Sequence, residues 1–360
     1  MRLTTTPKQD GFSFPAEFEP VREVWLAWPE RKDNWRNDAK PAQQTFANVA
    51  NAIADVVQVT VAVTSTQYER ARTQLHSSIK LVEMAYNDSW MRDIGPTVVV
   101  NARGERRGIS WKFNAWGGEY NGLYDDWSAD DQVAESVCEV AGMDYYQAPI
   151  VLEGGSIHTD GEGTLYTTEE CLLSPGRNPE LQQTDIEKTL CEYLGVEKIV
   201  WLPKGLYNDE TDGHVDNLIH VIGPAKVILS WTDDPFDPQF KLSREAYTAL
   251  RSQKDAKGRD IEVIKIPVPG PLYYTQEEAE GIDSSDGMVR QEGERLSASY
   301  ANFLMVNEHV FLPFLDEQFD SIAIEILKKA LPNFHIVGIP TREVLLGGGN
   351  IHCITQQIPA

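Results

Sequence analysis

One kind of unit returns along this chain. A polar or glycine-bearing loop runs into a β-hairpin near residues 93, 154, 214, 300 and 348, and helical patterning separates most of the copies. The copies lie about 45 to 90 residues apart, so the period is loose. Self-similar units pack on their neighbours, and units that close in a ring aim their loop ends at a common axis. The pattern therefore predicts a mixed α/β fold whose charged loops converge.

The elements between the loops follow from periodicity. A strand is predicted over Val24–Trp28, then a helix over Lys40–Val57 with Phe46, Val49, Ile53 and Val57 at helical spacing. Strands over Gln58–Val63 and Ile79–Met84 flank a polar helix at Tyr68–Ser77. Hairpins are predicted for residues 97–100 with 107–111, through Asp160-Gly-Glu-Gly into 164–167, for 218–222 with 226–231, and for 297–306 with 310–313. Helices are expected over Asp130–Ala141, Pro179–Leu194 (stopped by Gly195), Ser243–Ser252 and Phe319–Leu331. Further strands are expected over Lys198–Leu202, Asp260–Ile266 and His335–Ile339. Residues 275–294 are acidic and turn-rich and read as an exposed loop of lid type.

The stretch with the most chemical content is Leu346-Gly-Gly-Gly-Asn-Ile-His-Cys353. Three glycines leave the backbone open to close approach. Two readings of Cys353 stay open on this stretch alone, a thiol carried to the mouth of a cleft and a small core residue before a terminal strand. The other loops bring Asp88 and Asp93, Glu153, and the run Asp209 to Asp216 with His214. His214 and Asp216, two apart, share a face if that stretch is extended. A Cys with a His from a distant segment is the minimal set for thiolate catalysis. Carboxylates around a thiol are hostile to an oxyanion but suit a cation, and a planar guanidinium is matched bidentately by carboxylates. Trp90 could stack on such a cation or on its aliphatic stem.

Composition narrows the class. The net charge of −23 argues against nucleic acid or anionic lipid as partner and is compatible with a cationic small molecule. The four Cys form no Cys-x-x-Cys pair, and the seven His are scattered without metal-ligand spacing. No apolar run is long enough to span a bilayer and no signal-type segment opens the chain, so a cytoplasmic protein is expected.

Four segments in this order, Asn87-Asp-Ser-Trp-Met-Arg-Asp-Ile-Gly-Pro, Glu153-Gly-Gly, Thr211-Asp-Gly-His-Val-Asp-Asn and Gly347-Gly-Gly-Asn-Ile-His-Cys-Ile-Thr-Gln-Gln, resemble the agmatine deiminase family, grouped with Porphyromonas-type peptidylarginine deiminases. The resemblance covers nearly the whole chain. It implies a pentein α/β propeller with five ββαβ-type units around a pseudo-fivefold axis, in one catalytic domain over residues 1–360. It implies Cys353 as the nucleophile forming an amidino-cysteine, His214 as general acid and base, and Asp93 and Asp216 as the guanidinium clamp. It implies Glu153 as an assistant, Trp90 lining the channel, and Asp88, Glu210 and Asp212 as candidates for steering the substrate amine. The expected reaction is agmatine plus water giving N-carbamoylputrescine and ammonia, with no metal and no organic cofactor. A homo-oligomer is compatible with the sequence. Leu346 departs from the Cys that many relatives place before the glycines and is expected to alter packing alone.

Three rivals stand beside this reading. A free-arginine or peptidylarginine deiminase, or an amidinotransferase, would share the fold; no Arg obviously placed for a substrate carboxylate favours the decarboxylated amine. A non-enzymatic cation-binding module would use the acidic loops alone. A metal hydrolase built on His214, Asp216 and Glu153 is disfavoured by ligand spacing.

Overall fold

The computed structural model describes residues 1–283 and 289–360. Its strands form five sheets. Sheet I pairs Gln356–Pro359, Val21–Ala27, Gln58–Val63 and Lys80–Glu83. Sheet II pairs Arg2–Leu3, Tyr145–Val151, Arg106–Lys112, Thr97–Asn101 and Phe12–Ser13. Sheet III holds His158–Thr159, Thr164–Thr168 and Lys198–Leu202. Sheet IV holds Ile219–Gly223, Lys226–Trp231 and Glu262–Pro267. Sheet V holds Leu304–Val306, His309–Phe314 and His335–Pro340.

The same local logic builds each sheet. An antiparallel pair is followed by a helical crossover to a parallel strand. The crossovers are Lys40–Ala54, Val133–Val140, Gln183–Leu194, Gln239–Ser252 and Glu317–Ala330. Each buries one apolar face, such as Ile186, Leu190 and Leu194 of the third. Gly195 ends that helix in the left-handed region at φ 66°, as the sequence predicts. In sheet I the antiparallel partner comes from the far end of the chain: Gln356–Pro359 lies against Val21–Ala27.

Core side chains sit between successive sheets. One cluster joins Val99 and Ile109 of sheet II to Leu165 of sheet III, and another joins Val200 to Val227 of sheet IV. A third joins Ile228 to Leu312 of sheet V, and the largest joins Phe311 of sheet V to Val24 and Val61 of sheet I and Val98 of sheet II.

Several boundaries differ from the sequence reading. The helix expected from Pro179 begins at Gln183, because Gln182 and Asp185 form a capping box there. The strand expected from Ser297 is only Leu304–Val306; the residues before it form a loop that reaches the centre of the molecule. Tyr145–Val151 and the two short N-terminal strands had no alternating pattern strong enough to be read. Within 275–294, Gln276–Glu280 is helical behind a Thr275–Glu278 capping box, and 284–288 lie outside the described residues. Among the described residues no helix is long and apolar enough to cross a membrane.

Candidate active site

A short turn precedes the first strand of every sheet, and each turn delivers a polar side chain to one place. Asp93 lies in the helical turn Met91–Ile94, and Glu153 stands just before the 3-10 turn Gly154–Ser156. His214 caps Val215–Leu218, which carries Asp216. Cys353 ends the turn that follows the glycines, and Asn302 ends the loop before sheet V. The stretch 214–216 is thus a helical turn and not the extended segment the sequence suggested, yet both side chains still reach the same spot. Gly155 marks it. A Cβ there would lie 2.6 Å from His214 Nδ1, 2.9 Å from Asp93 Oδ1 and 3.0 Å from Asp216 Oδ2. Cys353 Sγ is 3.6 Å from Asp216 Oδ2, and His214 is 3.8 Å from Asp93 and 3.4 Å from Glu153. All six side chains are buried.

The glycines are there for close approach. Cβ atoms on Gly347 and Gly349 would sit 2.5 Å from Trp35 and 2.6 Å from Trp90, the latter also 3.0 Å from Cys353 Sγ. Gly348 holds φ +108° and faces the Glu210 carboxylate directly, so a side chain there is excluded by both backbone and space. Trp90 packs on Trp35 with centroids 5.2 Å apart. Asp88 fixes both indoles, accepting from Trp35 Nε1 at 2.8 Å and Trp90 Nε1 at 2.9 Å, and from Asn34 Nδ2 at 2.8 Å.

Burial and mutual proximity set the protonation states. Burial pushes the Asp93 carboxyl up to about 6; His214 opposes the rise, and Asp216 and Glu153 add to it. Burial works against a charged His214, but Asp93, Cys171 and Glu153 around it hold its pKa well above the ordinary imidazole value. Burial, with Asp216 and Asp93 close by, pushes the Cys353 thiol well up. Asp216 and Glu153 stay below the ordinary range despite burial, through His352 in the first case and Arg177 in the second. The resting site is therefore a neutral thiol beside an imidazolium. Asp216 Oδ1 is buried and accepts no hydrogen bond from the protein among the described residues.

Comparison with known proteins decides the family. Residues 13–359 match the model of the Porphyromonas-type peptidyl-arginine deiminases. The chain belongs to that family. A protein of Vibrio parahaemolyticus that bears an agmatine deiminase name is 71% identical to this deiminase over 360 residues, covering all of both chains. The structure of an agmatine deiminase of Enterococcus faecalis superposes with a TM-score of 0.96 at 47% identity, over 99% of each chain. DDAH from Pseudomonas aeruginosa, 14% identical with a TM-score of 0.50 over 94% of this chain and all of its own, shares the fold alone. The deiminase is thus a hydrolase of a guanidino C–N bond.

The sequence reading missed several residues that complete the deiminase site. Asn302 Nδ2 lies 3.1 Å from Cys353 Sγ and 2.9 Å from Asn217 Oδ1. It belongs to the loop of the repeat near residue 300, but it carries no ionisable group to draw attention. Trp116 Nε1 donates to Asp93 at 2.9 Å. Arg177 Nε lies 2.8 Å from Glu153 as a close charge pair without aligned hydrogen-bond geometry, and the same guanidinium reaches Asp212 at 3.1 Å. Cys171 belongs to the core shared by sheets II and III and also lies 3.9 Å from Glu153. Of the three steering candidates, Asp88 holds the indoles, Asp212 is taken up by Arg177 and Asn121, and Glu210 forms a two-pronged ion pair with Arg290. Two buried groups have donor atoms close enough to grip a metal, Glu153, Cys171 and His214 within the site and His158, His220 and His352 beside it.

Proposed function

We propose that the protein hydrolyses agmatine to N-carbamoylputrescine and ammonia through a covalent amidino-cysteine. The observation that carries this is the ring of Asp93, Asp216 and His214 about Gly155, with Cys353 Sγ 3.6 Å from Asp216 Oδ2 and Asp216 Oδ1 lacking a donor among the described residues. A guanidinium supplies N–H donors to both carboxylates, and its positive charge offsets the two acids that keep the thiol protonated. The thiol releases its proton to solvent as the cation binds, and Sγ attacks the guanidinium carbon. His214 protonates one amino group, which departs as ammonia and leaves the substrate carbon on sulfur. Neutral His214 then takes a proton from water, the resulting hydroxide adds to that carbon, and the C–S bond breaks to give the ureido product. The departing thiolate takes the proton of the added hydroxyl, which restores the Cys353 thiol and leaves the ureido carbonyl. Glu153 steadies the charged form of His214, and Trp90 walls the channel.

Agmatine is preferred to arginine on two grounds. The relatives carry that name, and Arg290, the guanidinium beside the glycine loop, is neutralised by Glu210 and not free to receive a carboxylate. In this reading residues 1–360 act as one catalytic unit of five ββαβ-type modules around a central axis. The recurrent sheet order and the cores shared from each sheet to the next, with sheet V reaching sheet I, support that arrangement.

Rapid acid quench with agmatine, followed by mass spectrometry, should find an added amidino group on the peptide containing Cys353. Ammonia release should be faster from agmatine than from arginine or a blocked arginyl peptide. An unmodified peptide during steady turnover refutes the covalent step, and faster release from arginine refutes the substrate.

A further inference from the structure

Three of the seven histidines that look scattered in the sequence meet behind the site. His158, His220 and His352 are buried, and one ring nitrogen of each lies within 4.8 Å of the others. Their surroundings prepare them as ligands. His220 Nδ1 lies 3.0 Å from the Ala301 carbonyl, which selects the tautomer that leaves Nε2 with a free lone pair. His352 Nδ1 faces Asp216 at 2.8 Å, the carboxylate–histidine arrangement that supports a metal-bound imidazole. His158 Nε2 is buried and has no hydrogen-bond partner among the described residues. The Glu17 carboxylate lies between the rings, 2.7 Å from His352 Nε2 and 3.4 Å from His220 Nε2. A small cavity of about 40 Å3, lined by Glu17, His158 and His352, adjoins the cluster.

We propose that His158, His220 and His352 form a zinc site, with the neighbouring Glu17 carboxylate swinging in as the fourth ligand. Three imidazoles and a carboxylate are a donor set that four-coordinate zinc accepts. Tetrahedral bonds need ligand atoms about 3.4 Å apart, so the rings close in slightly as the ion enters. Arg92, whose Nε donates to the His352 carbonyl at 3.2 Å, is the opposing charge nearby and limits affinity. His352 has a carboxylate at each ring nitrogen and gives up its Nε2 proton to ligate, so the ion leaves a net gain of positive charge next to Asp216 that disfavours a cationic substrate there. This second half rests on the guanidinium-binding role of Asp216; the binding itself does not.

The test titrates ZnCl2 calorimetrically into chelator-treated full-length protein without substrate. One ion per chain is expected for the wild type and for Cys353→Ala, with affinity falling about tenfold or more in His158→Gln and His220→Gln. Cobalt(II) in the wild type should give ligand-field bands of a four-coordinate nitrogen and oxygen site without thiolate charge transfer. This arm needs no variant to fold. Absence of stoichiometric binding, loss of binding in Cys353→Ala, or a thiolate band overturns the site. At saturating zinc the KM for agmatine should rise while kcat changes less; an unchanged KM overturns the coupling to Asp216.

Discussion

Replacing Asn302 with Ala tests whether the neutral residue of the loop before sheet V acts on the nucleophile. Its Nδ2 stands 3.1 Å from Cys353 Sγ, while its Oδ1 lies 3.4 Å from the Cys353 amide nitrogen. When the thiol ionises, the first contact becomes a hydrogen bond to a charged acceptor, worth about 1.5–3 kcal/mol. Burial and two acids already hold the thiol well above its ordinary pKa, so the loss of this donor makes its ionisation harder still. Removing the amide should therefore lower kcat/KM for agmatine by roughly 10- to 100-fold. Alkylation of Cys353 by a neutral haloacetamide should slow in parallel, which separates thiolate formation from substrate binding. Asn302→Asp keeps the shape but adds an acid. At 3.1 Å its charge would oppose the thiolate by on the order of 5 kcal/mol at an effective dielectric of about 20, so that variant should lose activity further as pH rises. Wild-type alkylation and turnover in Asn302→Ala would refute the reasoning.

Two further outcomes follow from the same geometry. Asp93 is pushed up to about 6, so in the free protein its ionised, guanidinium-accepting form is lost as pH falls through that value. kcat/KM should decline about tenfold per pH unit below it, and an acid limb near pH 4 would contradict the assignment. The stability effect has the opposite sense: the folded state holds this proton more tightly than the unfolded chain, so the stability contributed below the ordinary carboxyl value of 3.8 disappears as pH rises through about 6. Asp88→Ala removes the shared acceptor of Asn34, Trp35 and Trp90, and each orphaned buried donor costs about 1–3 kcal/mol. Urea unfolding should show a loss of at least about 3 kcal/mol, and a loss below about 1 kcal/mol would show that the indoles are held by packing alone.

Local signals were legible where local physics decides. The strands Gln58–Val63 and Lys198–Leu202 and the glycine stop at 195 appear where β-branched runs and left-handed geometry require them. The acids and the thiol were visible because ionisable groups beside glycine need explaining. Long-range pairing was not visible. Arg177 lies 24 residues from Glu153, but nothing in either segment says that they share one charge, and Glu17 meets His352 across 335 positions. Asn302 was hidden for a different reason, since a neutral amide in a stretch that looks like strand gives no sign of reaching a sulfur. The histidines looked scattered because sequence spacing reports ligands on one element, and these three come from the first strands of sheets III and IV and the turn before sheet I.

The contacts at Gly347, Gly348 and Gly349 have a consequence at the level of the gene. A missense change in any of these adjacent codons introduces a Cβ, and the neighbours it meets are Trp35, Glu210 or Trp90 with Cys353. Silent third-base changes are the only free variation in that stretch of coding sequence. A saturation library should therefore show a contiguous block of inactive alleles there, while substitutions at the solvent-facing Gly258 and Gly293, where an added Cβ meets nothing within 4 Å, strain only the backbone.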